Sequence, residues 1–233
     1  MPLARIYVVR HGETRENRES VIQGQLDTEL NEAGVEQARR VADALRSVSF
    51  DAAYSSDLVR ALKTAQIILE HREDIEIRKE EALRERFMGD LQGKKPEGGL
   101  KYAAAQDATV EPAEAIVARA VGWWTKAILQ RTLALPPRDT PYNVLVTSHG
   151  GWIGALARTL VGSGKARCAE GVVIVSCRNT SVAIVEMESN GVSTIVQYGD
   201  VKHLAELDEK REVGMVQRNV DEVVVEVPQA SKC

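Results

Sequence analysis

The chain has 233 residues, 44% hydrophobic and 27% charged, with a formal net charge of -4 at pH 7. That length and mix support one substantial core, and without a polybasic block there is no electrostatic footprint for nucleic acid or an anionic membrane. Any bound anion must therefore be held by a local cluster of cations. Three cysteines, Cys168, Cys177 and Cys233, show no C-x-x-C spacing, which argues against a disulfide framework or a zinc site and predicts reduced thiols. The first residues, "MPLARIYVVRHGE", carry only a short apolar stretch, neither a signal peptide nor a membrane span. The expectation is a soluble cytoplasmic protein.

The first element, "RIYVVR", is short and β-branched, as a buried central strand is, and a polar loop follows it. From Asn31, a plausible cap, the pattern places Val35, Ala38, Val41, Ala42 and Leu45 on one helical face. "FDAAYSSDLVRALKTAQIILEH" predicts a strand ending at Ser55 and Ser56, then a helix from about Asp57 that buries Leu58, Leu62, Ala65 and Ile68 or Leu69. "IEIRKEEALRERFMGDLQGKK" starts as an edge strand and becomes a polar loop with Gly89 and Gly93 as breakers. Residues 94–111 have weak periodicity and read as a surface segment. A helix follows from Glu111 or Pro112 to Leu135, with Trp123 and Trp124 near its middle, and "LPPRDTP" stops it.

"YNVLVTSHGGWIGALARTLVG" repeats the order strand, histidine-glycine, helix, and "TSVAIVEMESNGVSTIVQYG" reads as a β-hairpin around Asn190-Gly191. One domain is expected over residues 1–212, with 213–233 a C-terminal extension. Its "DEVVVEVP" is either an added edge strand or a loose tail, and the same stripe leaves the oligomeric state unreadable.

Two of the four histidines, His11 and His149, sit in a histidine-glycine pair directly after a predicted strand. A lone histidine there is most often a satisfied polar residue; two in one context point to chemistry. Neutral imidazole is a nucleophile suited to accept and release a phosphoryl group near neutral pH. Such transfer also needs fixed positive charge around the phosphoryl oxygens, which Arg10 and Arg60 can supply as planar forks of donors. Taken singly, Arg60 reads as a solvated helix residue. Gly12 and Gly150 let backbone approach an anion closely.

The blocks "RHGETRENRESVIQGQLDTELNEAGVEQA", "SSDLVRALKTA", "LRERFMGDLQG" and "SHGGWI" resemble, in order, the histidine phosphatase superfamily, and within it most the fructose-2,6-bisphosphatase-like branch. The resemblance implies the phosphoglycerate-mutase-like fold: an α/β, three-layer α/β/α sandwich with a mostly parallel mixed sheet and its catalytic groups at the C-terminal strand ends. It implies that His11 becomes the phosphohistidine while Arg10, Arg60 and His149 complete the phosphate pocket. Glu85 matches the acid that protonates the leaving oxygen and then deprotonates water, with Glu80 and Glu81 as neighbouring decoys. Asn17 matches the amide contacting the phosphoryl group, Gln23 and Gly24 the adjacent loop, and Gly150 the second histidine-glycine turn.

The expected activity is metal-independent hydrolysis of a small sugar phosphate or bisphosphate through phosphohistidine, with no cofactor. The alternatives are a phosphoglycerate mutase, whose family members carry a longer insert between the acid and the second histidine, and a non-catalytic member that binds a phosphorylated ligand or a partner. Specificity is expected in residues 94–114, where "VEPAEAI" departs from a glycine-glycine-glutamate pattern and Glu114 takes the glutamate's place. Arg119 reads as a helix-surface residue or a second-phosphate ligand. Trp123, Trp124 and Trp152 read as core rather than cavity wall.

Overall fold

A computed structural model describes residues 1–96, 104 and 107–205. The extension 213–233, and part of the proposed specificity segment, lie outside the described residues. A seven-stranded sheet organises the chain, in the order β3-β2-β4-β1-β6-β7-β5. Its strands are β1 (Ala4–Arg10), β2 (Ala52–Ser55), β3 (Ile77–Lys79), β4 (Tyr142–Ser148), β5 (Ala166–Cys168), β6 (Val182–Met187) and β7 (Ser193–Asp200). Only β6 runs against its neighbours; the other pairings are parallel.

The central strands are apolar on both faces because both are covered, as a parallel sheet requires. In β1, Ile6 and Val8 point into one cluster with Trp123, Trp124, Ile128, Trp152 and Leu156. Tyr7 and Val9, alternating with them, point into the other with Val41, Leu45, Phe50 and Ile68. Helices α2 (Glu32–Ala44) and α3 (Val59–Ile68) cover the second face, and α4 (Ala113–Trp123) and α5 (Gly150–Gly162) the first. The three-layer sandwich is therefore present, and all three tryptophans are core, each no more than 6% exposed. From Trp124 to Gln130 the helix after α4 widens into π geometry before a last turn at Arg131–Leu133.

Some local structure departs from the sequence reading. The polar loop after β1 contains a short helix, α1 (Arg15–Glu19), started by a reciprocal capping box between Thr14 and Asn17. In α3 the buried face is Arg60, Ala61, Thr64, Ala65, Ile67 and Ile68, whereas Leu62 is only partly covered. Short strand β5 closes the far edge of the sheet beside β7. The hairpin turns where expected, with Gly191 at φ 83° and its N–H donating to Glu188 O at 2.9 Å.

The loop after β1 lies directly on the start of α2. Asn31 caps that helix, its side chain accepting from Gly34 N at 2.8 Å, and Asn31 N donates to Glu13 O. A Cβ on Gly34 would lie 2.0 Å from Glu13 O, and one on Gly12 2.4 Å from Gly34 O, so both positions require glycine for backbone contact. By contrast, a Cβ on Gly122, in α4, meets nothing within 4 Å. The same substitution should thus have opposite signs at two helical sites. Gly34→Ala should destabilise by about 1–3 kcal/mol through overpacking, while Gly122→Ala should stabilise by roughly 0.5–1 kcal/mol through helix propensity, both read from denaturant midpoints.

Candidate active site

Three adjacent parallel strands deliver the site. Register pairs Arg10 of β1 with Ser148 of β4, and Ser55 of β2 with Thr147, so His11, His149 and Ser56 emerge side by side at the C-terminal edge. That edge is where open α/β sheets hold their ligands. The His11 and His149 ring centroids are 5.1 Å apart.

His11 Nδ1 lies 2.7 Å from Gly12 O. A carbonyl only accepts, so Nδ1 carries the proton and Nε2 the nucleophilic lone pair. His149 Nε2 is 2.9 Å from Ser56 Oγ, a partner not assigned a role from sequence. Arg10 is buried at 2% exposure; Nη1 donates to Cys177 O, while Nε and Nη2 are buried without a partner among the described residues. Arg60 is fully buried rather than solvated, and donates to Leu26 O at 2.7 Å and Gly24 O at 2.8 Å. Gln23 and Gly24 thus brace the pocket from behind: Gly24 holds Arg60, and Gln23 Oε1 accepts from Thr28 Oγ1 at 2.6 Å. The Asn17 Oδ1 accepts from Thr14 N and from Asn179 Nδ2, each at 3.2 Å.

Glu85 is buried at the N-terminus of α5. Its Oε2 accepts from Gly151 N at 2.9 Å, and Oε1 accepts from Trp152 N at 3.1 Å and Arg86 N at 2.8 Å. The N–H of Gly150, beside His149, is the first donor of the same helical turn. Glu80 and Glu81, the neighbouring decoys, lie on or near the surface.

The loop bearing Glu85 is tied down from four sides. Trp152 Nε1 donates to Ala82 O at 2.8 Å, Ser148 Oγ to Leu83 O at 2.7 Å, and Arg84 forms a two-pronged pair with Asp57. Arg119 reaches the carbonyls of Ala82, Arg84 and Glu85 and pairs with Glu111 at 3.0 Å. Arg119 is partly exposed on α4, and its guanidinium latches the Glu85 loop. The glutamate that engages it is Glu111, just before the helix, which meets both Phe87 N and Arg119, while Glu114, in the first turn, is exposed.

The electrostatics follow from burial among cations. Desolvation, then the charges of Arg60 and Arg10, hold His11 well below its ordinary 6.5. Desolvation and Arg60, followed by His11, Arg10 and Arg119, do the same for His149. Both rings are neutral at pH 7. An unfolded chain protonates these histidines as pH falls through about 6.5, whereas the folded protein refuses the protons. Stability should therefore be full above that pH and decline between roughly 6.5 and 5. Melting temperatures across that range, with a shallower decline for His149→Gln, test the sign.

Among the described residues no helix is long and apolar enough to cross a membrane. The family model for the histidine phosphatase superfamily (branch 1) matches residues 6–201. Phosphoglycerate mutase-like protein 4 of Arabidopsis thaliana is 37% identical over 213 residues, covering 87% of this chain and 88% of its own. Broad-specificity phosphatase YOR283W of Saccharomyces cerevisiae is 30% identical, covering 88% and 89%. Fructose-2,6-bisphosphatase TIGAR of Xenopus tropicalis is 46% identical, but over 101 residues, 42% of this chain and 36% of that protein. The crystal structure of a phosphoglycerate mutase from Bacillus anthracis superposes with a TM-score of 0.72 at 26% identity, covering 87% of this chain and 96% of the other. The chain therefore belongs to the histidine phosphatase superfamily, branch 1, and is a phosphatase of that type.

Proposed function

We propose that the protein hydrolyses a small phosphate monoester, of the sugar phosphate or bisphosphate kind, through a phosphohistidine and without a metal. The observation that carries this reading is the pairing of a neutral His11, whose Nδ1 proton is committed to Gly12 O, with a buried Arg10 guanidinium two of whose nitrogens have no partner among the described residues. A buried cation with idle donors beside a free lone pair is suited to a tetrahedral dianion.

In the first step His11 Nε2 attacks phosphorus and the bond to the ester oxygen breaks. Arg10, Arg60, His149 and the N–H of Gly150 take the charge on the phosphoryl oxygens, the work that magnesium does in kinases. Glu85 gives its proton to the leaving oxygen. In the second step Glu85 takes a proton from water, whose oxygen attacks the phosphohistidine, and inorganic phosphate leaves with His11 neutral again. Hydrogen bonds from three N–H groups stabilise the Glu85 carboxylate, so the proton it donates must arrive with the negative charge of bound substrate. The relatives named as phosphatases support hydrolysis, and those named as mutases make isomerisation of phosphoglycerates the alternative.

Phosphate release from para-nitrophenyl phosphate, fructose and sedoheptulose bisphosphates and phosphoglycerates, in EDTA, tests the reading. His11→Ala should lower kcat by on the order of 10³ or more. Activity that vanishes in EDTA refutes metal independence, and isomerised 3-phosphoglycerate without release establishes the mutase. Glu85→Gln should cost about 10²–10⁴-fold on sugar phosphates and far less on para-nitrophenyl phosphate, whose leaving group needs no proton. Equal losses on both would remove Glu85 from the acid role.

A further inference from the structure

The turn at residues 178–181, before β6, touches the site from a side that sequence reasoning left empty. Thr180 adopts φ 54°, a left-handed conformation that a β-branched residue rarely holds. Its N–H points at two carbonyls, Arg10 O at 3.1 Å and His11 O at 3.2 Å, and Arg10 N donates to Ser181 O at 3.2 Å. Asn179 is 4% exposed, and its Nδ2 donates to His11 O at 3.0 Å and to Asn17 Oδ1 at 3.2 Å. Strained backbone persists where surrounding contacts over-determine it, commonly at functional sites.

These contacts converge on one peptide. The His11–Gly12 amide is held at its oxygen by Asn179 and Thr180 and at its nitrogen by Thr64 Oγ1, at 3.0 Å. Gly12 O, the next acceptor along, fixes the His11 ring through Nδ1. Asn179 shares with the Thr14 capping box the task of setting which way Asn17 faces. With Oδ1 of Asn17 accepting from Thr14 N and Asn179 Nδ2, the other branch of that amide carries N–H donors, the polarity a phosphoryl oxygen needs.

We infer that Asn179 is a positioning residue for phosphoryl transfer, which holds the His11 peptide and orients the Asn17 amide through one side-chain NH₂. The inference rests on the phosphatase reading above. It requires that losing the NH₂ affect the transition state more than substrate capture, because nucleophile and phosphoryl donor lose their mutual alignment.

The test compares wild type, Asn179→Ala, Asn179→Asp, Asn17→Ala and the Asn17→Ala/Asn179→Ala double variant, with rates corrected for folded fraction. Asn179→Ala should lower kcat about ten- to a hundredfold with KM changed much less, and should weaken orthovanadate, a mimic of the pentacoordinate phosphoryl group, by a similar factor. In the Asn17→Ala background the same change should cost clearly less. Asn179→Asp, isosteric if the alanine fails to fold, sets acceptors against two oxygens at neutral pH; its rate relative to wild type should rise from pH 7.5 to 5.5, as a protonated carboxyl regains one donor. Unchanged kcat and vanadate affinity in folded Asn179→Ala, or a flat Asp-to-wild-type ratio, overturns the inference and leaves the phosphatase reading intact. Vanadate binding by calorimetry needs no turnover, so a wild type that binds vanadate but releases no phosphate refutes the reading alone. One that does neither overturns both.

Discussion

Two guanidinium groups buried at the C-terminal edge of a parallel sheet set the terms for the rest of the site. Removing such a charge from water costs several kcal/mol per ion even after relaxation, and among the described residues no carboxylate forms an ion pair with Arg10. Main-chain carbonyls of Cys177, Leu26 and Gly24 take part of the load, and Arg10 keeps two nitrogens unmatched. Burial first, and then this positive field, keeps His11 and His149 neutral, and a neutral His11 is what the proposed nucleophile must be. Arginine suits the place better than lysine, since a buried ammonium sheds its proton readily and a guanidinium does not.

The placement of Glu85 solves a second problem with the same backbone. His149 occupies the N-cap of α5 but makes no capping bond with its side chain, so the first-turn N–H groups need another acceptor. Glu85, from a separate loop, supplies it at Gly151 and Trp152. Glu85 is thereby locked to the helix terminus that also favours a bound anion. On the proposed mechanism, a phosphoryl group arriving there competes with the carboxylate for one positive end, which favours a proton on the carboxyl. On that proposal proton affinity is tied to occupancy, which is what an acid that later becomes a base requires.

Much of this was legible in the chain. The strand, histidine-glycine, helix order appears twice, and each time the apolar run is short because both faces of the sheet are covered. The ordered motifs singled out Glu85 among three nearby glutamates. What stayed hidden depends on contacts between distant segments. Arg60 looks like any exposed helix arginine until Gly24 and Leu26, more than thirty residues earlier, fold over it. Gly12 was read as making room for an anion, whereas the close approach it permits is to Gly34. Thr180 precedes a strand as a turn residue ordinarily does, and nothing local marks its left-handed backbone or the reach of Asn179 across to His11. Helix α1 escaped because five residues are too few to show a period, although its capping box was written in Thr14 and Asn17.

The latch formed by Arg119 bears on substrate choice. An arginine at that position is an attractive ligand for a second phosphate, but its five donors are engaged with three carbonyls of the Glu85 loop and with the Glu111 carboxylate. Turning it toward a ligand would release the loop that aims the acid, and would strand Glu111, which also accepts from Phe87 N. A bisphosphate whose second group demanded Arg119 would therefore weaken the chemistry at its first. Arg86, next to Glu85 in sequence, has its Nε held by Glu111 O at 2.6 Å. Because Glu111 braces both arginines, the segment carrying it holds the Glu85 loop, which on the proposed mechanism carries the acid. Its departure from the glycine-glycine-glutamate pattern is therefore a change in how the acid is held as much as in what the pocket admits.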